Sequence, residues 1–173
     1  MNKPLDKKPM SVALGVIGGS GAYDLLTNGG LGEKVNTVTL KTPFGESAPI
    51  HHFRAGNLHY LFLSRHGETD YSITAPFVNY RANIYALKEC GVERIISWSG
   101  PGIINTSFKP GDYVLPSDII DETRNRETTF FKNSGIGFIR QGEPFCPQIK
   151  QVVHDSMHAL GFPHHDQAVY VCT

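Results

Sequence analysis

Three short segments carry the side chains and backbone groups that could hold an oxyanion. The first is GVIGGSGAYDLL, Gly15 to Leu26, with four glycines and one serine between an apolar run and a short helix. Backbone N–H groups converging in such a turn suit a small anion, with Gly19 and the Ser20 hydroxyl at its tip. The alternative is a plain tight turn that needs glycine only for positive φ. A dinucleotide fingerprint fails, because the frame from Gly19 places Asp24 where the third glycine belongs. A P-loop fails too, because no lysine occurs between Met10 and Lys34. The second segment is LSRHG, Leu63 to Gly67. Arg65 offers a planar fork of donors and His66 a donor or acid–base group, unless the pair is a surface ion pair and a packed turn histidine. The third is SWSGPG, Ser97 to Gly102, which supplies the Ser99 hydroxyl and the Gly100 backbone N–H, or else is a simple strand exit. Each segment follows an apolar run. Ligands of α/β folds bind beyond the C-terminal ends of strands, so the three can converge and surround an oxyanion with donors.

The histidines suggest a different chemistry, which the spacing does not support. His154 and His158 stand four apart on a predicted helix, while His51-His52 and His164-His165 are adjacent pairs. A zinc site of the H-E-x-x-H kind needs glutamate after the first histidine, but Asp155 follows His154 and no third ligand is evident. The apolar face of Ile149, Val153, Met157 and Leu160 leaves both histidines on a solvated side, so no metal is expected. The two prolines of GEPFCPQ, Gly142 to Gln148, read as a structural turn before that helix.

The elements that must position these segments alternate along the chain. Strands are predicted at 12–17, Lys34–Leu40, Ile50–Arg54, Leu58–Ser64, Arg94–Trp98, Tyr113–Leu115 and Val169–Cys172. Ala55-Gly56-Asn57 marks a hairpin. One helix is predicted from Pro76 to Cys90 with Phe77, Tyr80, Ile84 and Leu87 on its apolar face, and another from Pro147 to the Gly161 stop. The pattern predicts an α/β fold with a mixed central β-sheet flanked by helices, over residues 12–173, behind a flexible tail at 1–11. Lys+Arg and Asp+Glu both number 16, which excludes a basic nucleic-acid footprint. No stretch approaches the roughly 20 apolar residues of a membrane span, and the apolar run near the start is too short for a signal-peptide core. Cys90, Cys146 and Cys172 are odd in number and lack a CxxC, which points to reduced thiols in the cytoplasm.

The ordered series Gly18-Gly19-Ser20-Gly21, Thr42-Pro43-Phe44-Gly45, Arg65-His66-Gly67, Val78-Asn79-Tyr80-Arg81-Ala82-Asn83, Pro110-Gly111-Asp112 and Glu143-Pro144-Phe145-Cys146-Pro147 resembles the trimeric purine nucleoside phosphorylase family, in particular its 5′-methylthioadenosine phosphorylase branch. The resemblance runs from about residue 12 to Thr173. It implies phosphorolysis of a purine nucleoside, either 5′-methylthioadenosine or a 6-oxopurine nucleoside such as inosine, to free purine and the (5-methylthio)ribose 1-phosphate. Inorganic phosphate is then the co-substrate and no other cofactor is expected. The resemblance places phosphate on Ser20, Gly19, Arg65, His66, Ser99 and Gly100, with Arg65 and His66 orienting it for attack. It implies a homotrimer or dimer of trimers in which Phe138 reaches a neighbour's ribose pocket, against the plainer reading of a core aromatic. Three departures stand out: SGPGII in the third segment, no second histidine after RHG, and the large Trp98. The family's base-side segment, beginning E-G-P-R, falls beyond Thr173, so the chain reads as an N-terminal part expected to be poorly stable and inactive alone. The alternative is an inactive phosphate- or nucleotide-binding remnant, or a regulatory module.

Overall fold

The computed structural model describes residues 12–136, 138 and 140–173, so the expected tail at 1–11 lies outside the described residues. The chain divides into two compact units between Gly100 and Pro101. The first contains β1 (Leu14–Gly18), α1 (Ala22–Asn28), β2 (Glu33–Val38), β3 (Lys41–Thr42), β4 (Gly45–Glu46), β5 (Ile50–Ala55), β6 (Leu58–Ser64), a 3-10 turn (Ala75–Phe77), α2 (Tyr80–Glu89) and β7 (Arg94–Trp98). Its five-stranded sheet has the order β2-β5-β6-β1-β7. β1 runs parallel to both β6 and β7, whereas β2, β5 and β6 pair antiparallel. The sheet is therefore mixed, as the alternation of elements predicts.

Side-chain alternation divides the core between the two faces of this sheet. Leu61 and Leu63 of β6 join Val12, Ile50, Ala86, Leu87 and Cys90 on one side. Phe62, of opposite parity, joins Phe53 and Ala22 on the other. The four C-terminal residues of β6 are all buried, because the strand passes from an exposed hairpin into a sheet covered on both faces.

The second helix differs from the sequence prediction. Asn79 caps α2 by accepting a hydrogen bond from the Ala82 N–H at 3.2 Å, so the α-helix starts at Tyr80, and Pro76 belongs to the separate 3-10 turn. The buried face differs from the predicted one as well. Ala82, Asn83, Ala86 and Leu87 are buried, whereas Phe77, expected on the apolar face, is 81 % exposed. Small residues at 82 and 86 let the helix approach the sheet closely. Asn83 serves the same contact by accepting from the Ala48 N–H at 2.8 Å.

The second unit holds β8 (Tyr113–Val114), β9 (Asp118–Asp121), α3 (Pro147–Leu160), β10 (His164–His165) and β11 (Val169–Cys172). β8 pairs parallel with β10, and β9 with β11. Pro147 opens α3 and Gly161, at φ 71°, closes it, matching the predicted start and stop. No side chain of α3 is buried; Ile149, Val153 and Met157 are half-buried, while Val152 and Leu160 are exposed. Strands β9 and β10 have no counterpart in the sequence prediction.

Two stability measurements test this packing. Leu87 is fully buried, so Leu87→Ala should lower the unfolding free energy by about 2–5 kcal/mol, read from urea midpoints. His52 is buried beside His59, with its Nδ1 lacking a partner. Burial first, and the His59 charge second, push its pKa below the ordinary 6.5. As pH falls through 6.5, the unfolded chain takes up a proton that the folded chain refuses. Stability should therefore decline from about pH 6.5 downward, and His52→Gln should make that decline shallower in denaturant titrations.

Candidate functional site

Register fixes the geometry of the site. Gly18 at the end of β1 lies opposite Ser64 at the end of β6 and opposite Trp98 at the end of β7. The residues that follow, Gly19-Ser20, Arg65-His66 and Ser99-Gly100, thus leave three adjacent parallel strands at one level. Hydrogen bonding carries the alignment one step further, since the Arg65 N–H donates to the Gly18 carbonyl at 3.1 Å.

The glycine segment closes as a tight turn. The Ala22 N–H donates to the Gly19 carbonyl at 3.0 Å, and Gly21 has φ 81° and ψ −8°. These are the values of the third position of a type II turn, which L-residues with side chains avoid. Ser20 therefore occupies the turn's tip, exposed. Gly19 is glycine for a different reason. A Cβ there would stand 2.7 Å from the Trp98 carbonyl oxygen and 2.8 and 2.9 Å from the two Arg65 terminal nitrogens.

Arg65 consequently lies directly against the turn, half-buried, with Nη1 donating to the Trp98 carbonyl at 3.3 Å. Among the described residues it has no carboxylate within ion-pair reach. A guanidinium held this way keeps donors available to an incoming anion. Ser99 is half-buried and Gly100 exposed at the end of β7.

His66 is buried, at 1 % exposure, and its surroundings decide its protonation. Its Nδ1 is 2.8 Å from the Ile73 carbonyl. A carbonyl only accepts, so Nδ1 carries the hydrogen and Nε2 the lone pair. Burial lowers the His66 pKa, the Ile73 carbonyl opposes that shift, and the neighbouring Arg65 charge adds to the lowering. The ring is therefore neutral near pH 7. It stacks on Tyr71 at 4.3 Å, while Ile73 N–H donates back to the His66 carbonyl at 2.9 Å, fastening the loop that follows. Glu68 in the same loop bonds the buried His51, whose Nδ1 is 2.8 Å from the Thr37 hydroxyl. Tyr71, Ile73 and the Trp98 carbonyl were not legible as site residues, because loop contacts leave no periodic trace in a sequence.

Phe138 belongs to the second unit, in the segment between β9 and α3. At 84 % exposure it is not the core aromatic of the plainer reading. His154 also differs from expectation: it is half-buried and hydrogen-bonded to Asp166 at 2.8 Å rather than standing free on a solvated face, although His158 is exposed. The helices of the described residues are too short or too polar to cross a membrane.

Comparison with known proteins agrees with this architecture. S-methyl-5′-thioadenosine phosphorylase of Thermococcus kodakarensis is 38 % identical over 160 residues, covering 92 % of this chain and 60 % of that protein. The 6-oxopurine nucleoside phosphorylase of Pyrococcus furiosus is 39 % identical over 167 residues, with the same 92 % and 60 % coverage. Among solved structures, methylthioadenosine phosphorylase from Schistosoma mansoni in complex with adenine superposes with a TM-score of 0.82 at 27 % identity, over 92 % of this chain and 64 % of that one. The chain thus spans about 60 % of the length of the curated relatives it matches. The model of the phosphorylase superfamily matches residues 13–173, and with both the sequence and the fold in agreement the chain belongs to that superfamily.

Proposed function

We propose that this chain carries the phosphate cradle of a purine nucleoside phosphorylase, and that the reaction is phosphorolysis of the N-glycosidic bond. The observation that carries the reading is the guanidinium of Arg65, without a carboxylate partner among the described residues, held against the Gly19 turn where three parallel strands end. Phosphate bound there takes donors from Arg65, the Ser20 hydroxyl and the backbone at Gly19 and Gly100, with Ser99 alongside. Neutral His66, with its lone pair on Nε2, accepts from a phosphate O–H rather than donating to the anion. A phosphate oxygen attacks C1′ of the ribose as the bond to the purine breaks. Arg65 and His66 fix the nucleophile's orientation, and the phosphate's negative charge stabilises the cationic sugar. The purine departs with the bonding electron pair and takes up a proton, through groups outside those assigned to this cradle.

The names of the relatives support a purine nucleoside as substrate. Identities of 38 % and 39 % to proteins of the methylthioadenosine and 6-oxopurine kinds leave both bases within the proposal. Phosphate is the co-substrate, without a further cofactor. Cys90, Cys146 and Cys172 form no disulfide among the described residues, which fits the reducing cytoplasm. The proposed assembly is a homotrimer or a dimer of trimers, in which Phe138 covers a neighbour's ribose pocket; an aromatic this exposed is costly in water unless a partner buries it.

Calorimetry with inorganic phosphate tests the cradle. Arg65→Ala should abolish detectable binding while leaving the urea midpoint nearly unchanged, and His154→Ala should bind like the parent. Unchanged phosphate affinity in Arg65→Ala would overturn the assignment. In a form extended through the family's base-side segment, turnover is read as phosphate-dependent release of free purine from 5′-methylthioadenosine and from inosine, and loss of the Arg65 donors should slow it about 10²–10³-fold. Phosphate binding without release of purine from either nucleoside would favour a non-catalytic binding role instead. For the assembly, Phe138→Asp should shift sedimentation towards monomer; a parent protein that sediments as a clean monomer would count against the trimer.

A further inference from the structure

The second unit gathers side chains that the sequence left far apart and the phosphate cradle does not use. His154 and His158 lie one turn apart on α3, their rings nearly parallel at 5° with centroids 6.5 Å apart. His164 of β10 meets His154 edge to face at 4.9 Å, and Asp166 follows two residues later. Adjacent His165 does not take part: successive strand residues point to opposite faces, and its Nε2 is 2.8 Å from Asp112. One nitrogen of each of His154 and His164 and one carboxylate oxygen of Asp166 lie within 4.8 Å of one another.

We propose that His154, His164 and Asp166 form a binding site for a borderline divalent transition cation such as zinc, with His158 as a neighbouring further donor. Imidazole and carboxylate are the donors that suit zinc, copper and nickel. The ring nitrogens are already sorted for the task. His164 Nδ1 is 2.8 Å from the Phe162 carbonyl, and His154 Nδ1 is 2.8 Å from Asp166 Oδ1. The Phe162 carbonyl holds a hydrogen on His164 Nδ1, which leaves its Nε2 lone pair for a metal. His154 Nδ1 and Asp166 Oδ1 already stand side by side as two donors to one ion, the metal replacing the hydrogen between them and that proton moving to Nε2. A carbonyl on the far nitrogen, as at His164, is how metal-binding histidines are oriented. Zinc with bonds of about 2.0–2.1 Å needs ligand atoms about 3.4 Å apart, so side-chain rotations of an ångström or so close the set. His154 and Asp166 are 34 % and 44 % exposed, which leaves an entry path and a position open to water. A bound ion would fasten α3 to β10 across the turn at Gly161.

The test is calorimetric titration of the tag-free chain with zinc chloride, with far-UV circular dichroism checking that each variant folds. The parent should bind one zinc ion. His154→Gln and His164→Gln should each weaken binding by about tenfold or more. His59→Gln removes a histidine of the His52–His59 pair in the other unit and should leave binding unchanged. Imidazole nitrogen resonances give a second readout, since the ring nitrogens of His154 and His164 should shift on zinc addition while those of His52 and His59 stay. Absence of one-to-one binding would overturn the site, as would binding that survives His164→Gln intact or is lost in His59→Gln.

Discussion

The alignment of β6, β1 and β7 is the constraint from which the candidate site follows. Parallel strands cannot be joined by a tight turn and need a crossover, which α2 supplies from β6 past β1 to β7. Burying Leu87 and Cys90 against Leu61, Leu63 and Val12 anchors that crossover to one face of the sheet. Ala22 of α1, packed on Phe53 and Phe62, covers the other face. With both faces covered, a one-residue slip of β1 would exchange Val16, packed on the aromatic side, with Ile17, packed on the aliphatic side. Hydrophobic packing thereby holds Gly18 level with Ser64 and Trp98, and the position of every donor beyond those residues depends on it.

A chain whose 16 basic and 16 acidic residues cancel offers no long-range attraction for an anion, so selectivity has to be local. In the proposed cradle the arrangement around Arg65 would supply this by omission as much as by contact. Its hydrogen-bond partner is the Trp98 carbonyl, a dipole that orients the guanidinium without neutralising it. The buried, neutral His66 beside it avoids a second positive charge that the protein would have to desolvate. Tyr71 and the Ile73 carbonyl hold that ring in place. The result is one fixed charge flanked by a neutral acceptor, which suits a phosphate that still carries a proton.

Elements with a strong periodic or turn signal were legible in the sequence. The β5–β6 hairpin announces itself by Gly56-Asn57, β7 by its apolar run, and α3 by Pro147 and Gly161. The face of α2 was not, because large apolar residues dominate a periodicity count while close packing here selects Ala82 and Ala86. Short strands such as β9 and β10 fall below any usable period. The three site segments were visible because each breaks an apolar run with Gly, Ser or Arg. Their common level was not, since register is decided by core packing between strands remote in sequence. The same limit hid His164 and Asp166, whose meeting with His154 requires knowing that α3 folds back on β10.

Gly19 is where fold and proposed chemistry cannot be separated. Elsewhere in the turn glycine answers a backbone demand, as the positive φ of Gly21 shows. At Gly19 the obstacle is instead the space a side chain would take. A methyl group there would press on the Trp98 carbonyl and on both terminal nitrogens of Arg65 at under 3 Å, a separation at which one partner has to move. The carbonyl belongs to the last residue of β7 and is held by the sheet, whereas the guanidinium ends a flexible side chain. Moving the guanidinium would relieve only part of the conflict; the 2.7 Å approach to the Trp98 carbonyl would remain, so the turn or the end of β7 would have to shift as well. The absence of one side chain at Gly19 thus preserves both the close approach of the turn to β7 and the placement of the charge, which explains why the glycine run continues past the end of β1.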